Sequence, residues 1–380
     1  MKRKITVTTG SRSEYGILKP VLQNLSQSKN LELSLIVSGM HLSKKHGMTI
    51  NQIKKDGFKI YGTVSMIPQD DSMFDMSKSL GKGIMQFSKI FNKLQPDINL
   101  ILGDRDEALA SALAASHMNI INAHIHGGDK TKAGIDEYNR HAITKLSNLH
   151  FAATKKSQKR IIKMGENPKY VFYTGSPGID DIVKGNFTKK TDLEFFLNMH
   201  FQGDEIILLQ HPVTTQTQKT KIEILNTLKA IAKMQKTTIV IAPNSDAGNK
   251  IIFSSINKFA AKYPFIKIYQ NLSRSNYLGL LQNCGVLVGN SSSGMIEASY
   301  FKIPVINIGI RQDEREHGSN VKHVPSNSKF IYQEIQKVLK NKNPRPKNMV
   351  YGVGNASKLI VKILEKTKLN NELLQKQIFY

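Results

Sequence analysis

Apolar residues fall in short runs that stop at Gly, Ser, Asn or Asp, and each run gives way to a longer stretch with helical spacing. Ile5–Thr9 reads as a short buried strand. Gly10-Ser11-Arg12-Ser13-Glu14-Tyr15 is a turn, and Tyr15–Ser26 an amphipathic helix. Leu31–Val37 is the next strand, followed by Ser38-Gly39-Met40-His41. Asp97–Leu102 is apolar and ends at Gly103-Asp104-Arg105, and an alanine-rich helix, Glu107–Met118, follows. Ile120–Ile125 is a further strand, ending at His126-Gly127-Gly128. Runs of this length, bounded by turn residues and alternating with helices, predict a parallel sheet with helices on both faces.

The pattern restarts in the second half. Strands are expected at Glu205–Leu209, Thr238–Ala242, Val286–Val288 and Val305–Ile308, and helices at Ile222–Met234, Tyr277–Cys284 and Met295–Phe301. Gly175-Ser176-Pro177-Gly178 punctuates the chain between the halves. The fold class is therefore α/β, with two Rossmann-like doubly wound domains and a cleft between them. Ligands of such sheets bind beyond the carboxyl ends of the strands.

Length supports the division, because 380 residues exceed what one hydrophobic core organises. No apolar run approaches the roughly 18 residues of a membrane span. The start, Met1–Thr9, passes from a basic flank directly into a strand pattern, without the apolar core of a signal peptide. One cysteine, Cys284, excludes an internal disulfide and a cysteine-based metal site. A cytoplasmic location is expected. The net charge of +25 raises nucleic-acid binding as an alternative. Lysines are spread along the chain, however, with modest clusters at 154–160, 336–347 and 363–368, and no nucleic-acid-binding motif is present. No nucleic acid and no membrane partner are expected.

Chemistry gathers at the ends of these strands. Val288-Gly289-Asn290-Ser291-Ser292-Ser293-Gly294 carries a strand into a small-residue turn at a helix start. Its N–H groups and hydroxyls suit an anion such as a diphosphate, though a plain serine N-cap reads the same way. It is neither a Walker A loop nor a G-x-G-x-x-G fingerprint. Glu297 lies on the following helix, and Arg311 follows the strand Val305–Ile308. In the first half, Asp104 and Arg105 end a strand, where Asp104 is a candidate acid or base or an N-cap. His126, Asp129, Asp136, Glu137 and Arg140 crowd one loop and the helix it leads into, a mixture suited to proton transfer or to capping. A metal on His126, Asp129 and Asp136 fits no established ligand spacing, so none is expected. His211 ends the first strand of the second half.

In order and spacing these segments resemble the hydrolysing UDP-N-acetylglucosamine 2-epimerases of sialic acid biosynthesis, including the epimerase half of the bifunctional animal enzyme. The resemblance runs from Gly10–Tyr15 to Tyr351-Gly352-Val353-Gly354-Asn355-Ala356. It is most specific at Leu102–Arg105, Ile135-Asp136 with Arg140–Leu146, Gln210–Thr215, Pro243–Gly248, Gly289–Ser292 and Pro304–Gln312. It implies a GT-B fold, with a first domain at 1–178, a UDP-binding domain at 179–354 and a stretch at 355–380 whose helix, within Asn355–Lys366, crosses back to the first domain. It implies elimination of UDP to 2-acetamidoglucal, then hydration to N-acetylmannosamine, with no cofactor and with a UDP-sugar as substrate. A homo-oligomer, dimer or tetramer, is also implied.

Carried over by position, Asp104 and Asp136 match catalytic acids, and His211 a histidine acting near the diphosphate and sugar. Ser291 and Ser292 match phosphate contacts, with Gly294 in the same turn. Glu297 matches a ribose contact, and Arg12, Arg105, Arg140, Asn244 and Arg311 substrate-binding residues; His41 matches a first-domain loop histidine. One position departs. Where the animal enzyme has Glu-Gly-Gly, this chain has His126-Gly127-Gly128 followed by Asp129, so either His126 or Asp129 takes the glutamate's role. A bacterial branch with His-Gly-Gly and a following acid includes enzymes acting on UDP-N,N'-diacetylbacillosamine. That sugar, a non-hydrolysing epimerase, a glycosyltransferase and a non-enzymatic nucleotide-sugar sensor are the competing readings.

Overall fold

The structure is a computed structural model; it describes residues 2–380 except Gln69, Asp71, Ala133, Asn244, Ser245, Asn271 and 342–348. It divides into two compact units. Unit 1 comprises Met1–Lys130, Asp136–Lys184 and Tyr351–Tyr380; unit 2 comprises Thr131–Ile135 and Gly185–Val350.

Unit 1 holds, among the described residues, seven strands: β1 Arg3–Thr9, β2 Leu31–Ser38, β3 Ile60–Val64, β4 Ile98–Leu102, β5 Ile121–Ile125, β6 Leu149–Ala152 and β7 Val171–Tyr173. They form one sheet in the order β3-β2-β1-β4-β5-β6-β7, and every neighbouring pair is parallel. Both faces are covered, as a parallel sheet requires. Successive residues of β2 show this: Leu35 and Val37 enter a core with the helices Arg12–Gln27 and Ala356–Lys366. Ile36 enters the opposite core with Phe87, Phe91 and Ala110, from the helices Met73–Leu94 and Asp106–His117. Chain order reverses between β1 and β4, so their carboxyl ends flank the crevice where such sheets take ligands. Those ends carry Gly10–Glu14 and Gly103–Glu107.

Unit 2 repeats the plan with six strands among the described residues: β8 Ile206–Leu209, β9 Thr238–Ile241, β10 Ile266–Tyr269, β11 Val286–Gly289, β12 Val305–Ile308 and β13 Val321–Val324. Their order is β10-β9-β8-β11-β12-β13, again all parallel. Here the reversal lies between β8 and β11. Gly289 makes that pairing close: it has φ +135, and a β-carbon there would collide with the Leu209 carbonyl.

The helix expected at Met295–Phe301 is corrected. It begins at Ser292, where Ser291 caps it, and ends at Ile296; a separate 3-10 turn spans Ala298–Phe301, closed by Lys302 in the left-handed region. Five residues of α-helix give little macrodipole, so anion binding at this turn rests on its N–H groups and hydroxyls.

The chain's last described segment is tied into unit 1. Lys376 Nζ donates to the carbonyls of Lys145 (2.6 Å) and Ser147 (2.8 Å) at the end of the helix Ile135–Leu146, and to Glu166 Oε2 (2.7 Å). Glu166 also receives Lys145 (2.6 Å) and His150 (3.1 Å). These cations hold its carboxyl at about 2, against the opposing effect of burial.

Candidate active site

At the end of β4, Asp104 meets the helix Ile135–Leu146. Arg140 lies on the inner face of that helix and is 1% exposed. Its Nε donates to Asp104 Oδ2 at 3.0 Å, and Nη2 reaches the same oxygen. Nη1 donates to Glu137 Oε2 and, at 3.2 Å, to the backbone carbonyl of Asp129. A buried guanidinium needs such acceptors, because an unpaired one is strongly destabilising. Glu137, Arg140 and His141 stand three and four residues apart, so one face of the helix presents all three. His141 Nε2 lies 2.8 Å from Glu137 Oε1. Asp136 sits in the first turn, half-buried.

His126 and Asp129, the alternatives for one role, pair with each other. His126 Nδ1 is 3.3 Å from Asp129 Oδ2, and His126 Nε2 is 2.8 Å from Ser176 Oγ. Asp129 Oδ1 accepts from Ser157 Oγ at 2.8 Å. An ionised carboxylate accepts, so Asp129 fixes the proton on Nδ1 and leaves Nε2 to accept from Ser176. All three side chains are buried. His126 has φ +67, an uncommon conformation for a residue with a side chain.

A second cluster lies at the end of β1. Arg105 Nε pairs with Glu107 Oε2 at 3.2 Å. The Glu107 side chain packs on Gly10 and Gly39, where any β-carbon would strike it. Glu14 accepts from the Gly10 N–H at 3.0 Å and from Ser11 Oγ at 3.2 Å. Burial pushes its carboxyl up to about 7, aided by the neighbouring Glu107 and opposed by Arg105. Burial also lowers the Arg12 guanidinium to about 10, still a cation at neutral pH. His41 is enclosed rather than presented. Its Nε2 is 3.0 Å from Thr9 Oγ1 and its Nδ1 2.7 Å from Thr49 Oγ1, and burial lowers it to about 4.

In unit 2, the ends of β8 and β11 are joined by one side chain. Asn290 Oδ1 accepts from the His211 N–H at 2.7 Å, and Asn290 Nδ2 donates to the His211 carbonyl at 2.9 Å. Arg311 Nη1 donates to the Asn290 carbonyl at 3.2 Å. His211, Arg311 and the turn are therefore brought together at the switch point. Ser291 and Ser292 begin the turn's helix. Gly294 serves packing: a β-carbon there would lie 2.8 Å from Val305 Cγ1. Glu297 is 4% exposed rather than solvent-facing. Its Oε1 pairs with Arg274 Nη2 at 2.7 Å and its Oε2 accepts from Ser293 Oγ at 2.6 Å. Tyr277 Oη lies at 2.5 Å from the same hydroxyl. Arg274 and Tyr277 escaped the sequence reading; their signal is the i,i+3 spacing on the helix Arg274–Asn283, legible only once Ser293 and Glu297 are known to face it. Asn244 lies outside the described residues. Among the described residues no three His, Cys, Asp or Glu side chains converge as a metal site, and no helix is long and apolar enough to cross a membrane.

Two parallel-sheet units, one with strand-end carboxylates on a buried arginine and one with a serine turn at its switch point, define an α/β enzyme of the GT-B class. The family model described as UDP-N-acetylglucosamine 2-epimerase matches residues 23–365, and the chain belongs to that family. It is similar to a UDP-N,N'-diacetylbacillosamine 2-epimerase (hydrolyzing) of Legionella pneumophila, 36% identical over 99% of both chains. It is also similar to a GDP/UDP-N,N'-diacetylbacillosamine 2-epimerase (hydrolyzing) of Campylobacter jejuni, 34% identical over 84% of each. In fold it matches a UDP-GlcNAc 2-epimerase from Neisseria meningitidis bound to UDP-GlcNAc, at TM-score 0.80 and 20% identity over 96% of this chain and 100% of that one.

Proposed function

We propose that the protein is a hydrolysing UDP-sugar 2-epimerase: it eliminates UDP across C1 and C2 of a UDP-2-acetamido sugar and hydrates the resulting glycal with inversion at C2. The observation that carries this reading is Asp104 held at the end of β4 by Arg140, a carboxylate fixed for proton transfer at a strand end. Unit 1 supplies the acid–base groups, with Asp104 and Asp136 as catalytic acids, the His126–Asp129 pair beside them, and Arg12, Arg105 and Arg140 as the cations. Unit 2 binds UDP through Ser291, Ser292 and Arg311, with His211 near the diphosphate and Glu297 near the ribose. Departing diphosphate charge is stabilised by such fixed donors. No cofactor or metal enters the reaction. The protein works in the cytoplasm as a homo-oligomer.

UDP-GlcNAc, giving N-acetylmannosamine, is the substrate that the sequence resemblance placed first. The relatives favour the second reading, UDP-N,N'-diacetylbacillosamine, which two of them carry in their names at 34% and 36% identity. Incubation with each UDP-sugar, followed by NMR of the products, tests both. Free UDP with a 2-epimerised free sugar supports hydrolysis. A retained UDP-sugar epimer, or no UDP release without an added acceptor, overturns it. The sugar turned over faster by at least about tenfold, or 1.4 kcal/mol of barrier, identifies the substrate.

A further inference from the structure

We propose that Glu137 is the acid that returns a proton to C2 in the hydration half of the reaction, an inference resting on the epimerase reading above. Inversion at C2 sets the requirement. The proton leaves one face of the sugar and arrives on the other, so two different groups must handle it. Asp104 is one of them.

His126 and Asp129 are poorly placed for the second role. Their side chains are 6% and 2% exposed. Both ring nitrogens of His126 are engaged, by Asp129 and Ser176, and both carboxylate oxygens of Asp129, by His126 and Ser157. Delivering a proton from either would break buried hydrogen bonds, each costly to leave unmade.

Glu137 differs in exposure and in company. Its side chain is 21% exposed, matching the 22% of Asp104. Both carboxylates bind the same buried guanidinium, Asp104 on Nε and Nη2 and Glu137 on Nη1. Two carboxylates around one cation carry a net single negative charge, so the cluster accommodates one proton at little cost. One carboxylate then acts as base while the other is the acid. His141, 2.8 Å from Oε1, orients the Glu137 carboxyl.

The steps balance. In the elimination, Asp104 takes the C2 proton, the C1–O bond breaks, and its electron pair leaves with UDP as the C1=C2 bond forms. In the hydration, protonated Glu137 gives its proton to C2 from the opposite face while a water oxygen bonds to C1. The proton that water sheds restores Glu137, and the proton on Asp104 passes to solvent.

The test follows the full-length protein by NMR with its UDP-sugar. E137Q is expected to release UDP yet stall at the unsaturated glycal, with hydrated product formed at least about 100-fold more slowly and KM within about threefold. E137A should behave alike and regain hydration in formate, a readout that a merely structural role would not move; E137D should recover part of the rate. D104N should instead stop UDP release. Hydrated product from E137Q at within about tenfold of the wild-type rate overturns the proposal. So does loss of UDP release in parallel with D104N, absence of formate rescue in E137A, or glycal accumulation in H126Q rather than E137Q. A wild-type protein that releases no UDP from any UDP-sugar overturns the preceding reading instead, and is distinguished by that.

Discussion

Arg140 and Asp104 are joined through two guanidinium nitrogens to one carboxylate oxygen, with the arginine 1% exposed and the aspartate reachable. A planar fork makes this contact and a point charge does not. Arg140→Lys should therefore lower kcat by about 100-fold while leaving UDP affinity within about twofold. Arg140→Met, which leaves two carboxylates without their cation, should cost about 3–5 kcal/mol of stability. Turnover, UDP titration and urea unfolding check the three values.

Gly39 has φ +55, and a β-carbon on it would strike the Glu107 carboxylate. Gly39→Ala combines a left-handed backbone with an overlap, and should destabilise by about 2 kcal/mol. It should also dislodge Glu107 from Arg105. Glu107→Gln keeps the shape and removes the charge that raises Glu14. The urea midpoint should fall clearly in G39A and little in E107Q.

Acid should destabilise unit 1 in a defined window. Burial lowers His41 to about 4 and His124 to about 3, in His124 against the pull of the Gly103 carbonyl. The folded state keeps both neutral while the unfolded chain protonates below about 6.5. Their contribution is thus complete above pH 6.5 and declines as pH falls toward those values, by about 1.4 kcal/mol per pH unit for each. Glu166 acts in the same direction lower down, losing its contribution as pH falls from about 4.5 to about 2. Urea midpoints at pH 8, 6.5 and 5 measure the first effect, and His124→Asn should flatten it. A flat profile in the wild type refutes the burial argument.

Asn290→Ala should weaken UDP binding and lower stability by about 2 kcal/mol, because it orphans the His211 N–H and carbonyl. Ser291→Ala removes a cap and should cost about 1 kcal/mol. Calorimetry with UDP separates the two variants: N290A shifts both affinity and stability, and S291A chiefly affinity.

The strand–turn–helix rhythm was legible because β4, β5, β8 and β12 are wholly buried apolar runs ending in turn residues. Asp104 at a strand end and the serine turn were legible for the same reason. The helix at Met295–Phe301 was misread because apolar spacing begins at Met295, whereas the backbone is fixed earlier by the Ser291 cap. The sequence left His126 and Asp129 as rivals. Three residues apart, they become partners only because His126 adopts a left-handed backbone conformation and Ser176 arrives from beyond β7. The links of Asn290 to His211 and of Glu297 to Arg274 join residues distant in the chain, and depend on strand order that no local pattern states.

Lys376 closes the carbonyl end of the helix that bears Asp136, Glu137 and Arg140, and it lies 231 residues beyond Lys145. All of unit 2 is translated between those two positions. Domains tend to fold as they emerge during synthesis, amino-terminal first. Here the first unit to emerge is the last to be finished. Its acid-bearing helix waits, with an uncapped end and Glu166 short of a cation, until the ribosome has released a complete second unit and the segment that follows it. Synthesis order thus makes the clamp a late step, after which the proton-transfer groups are seated.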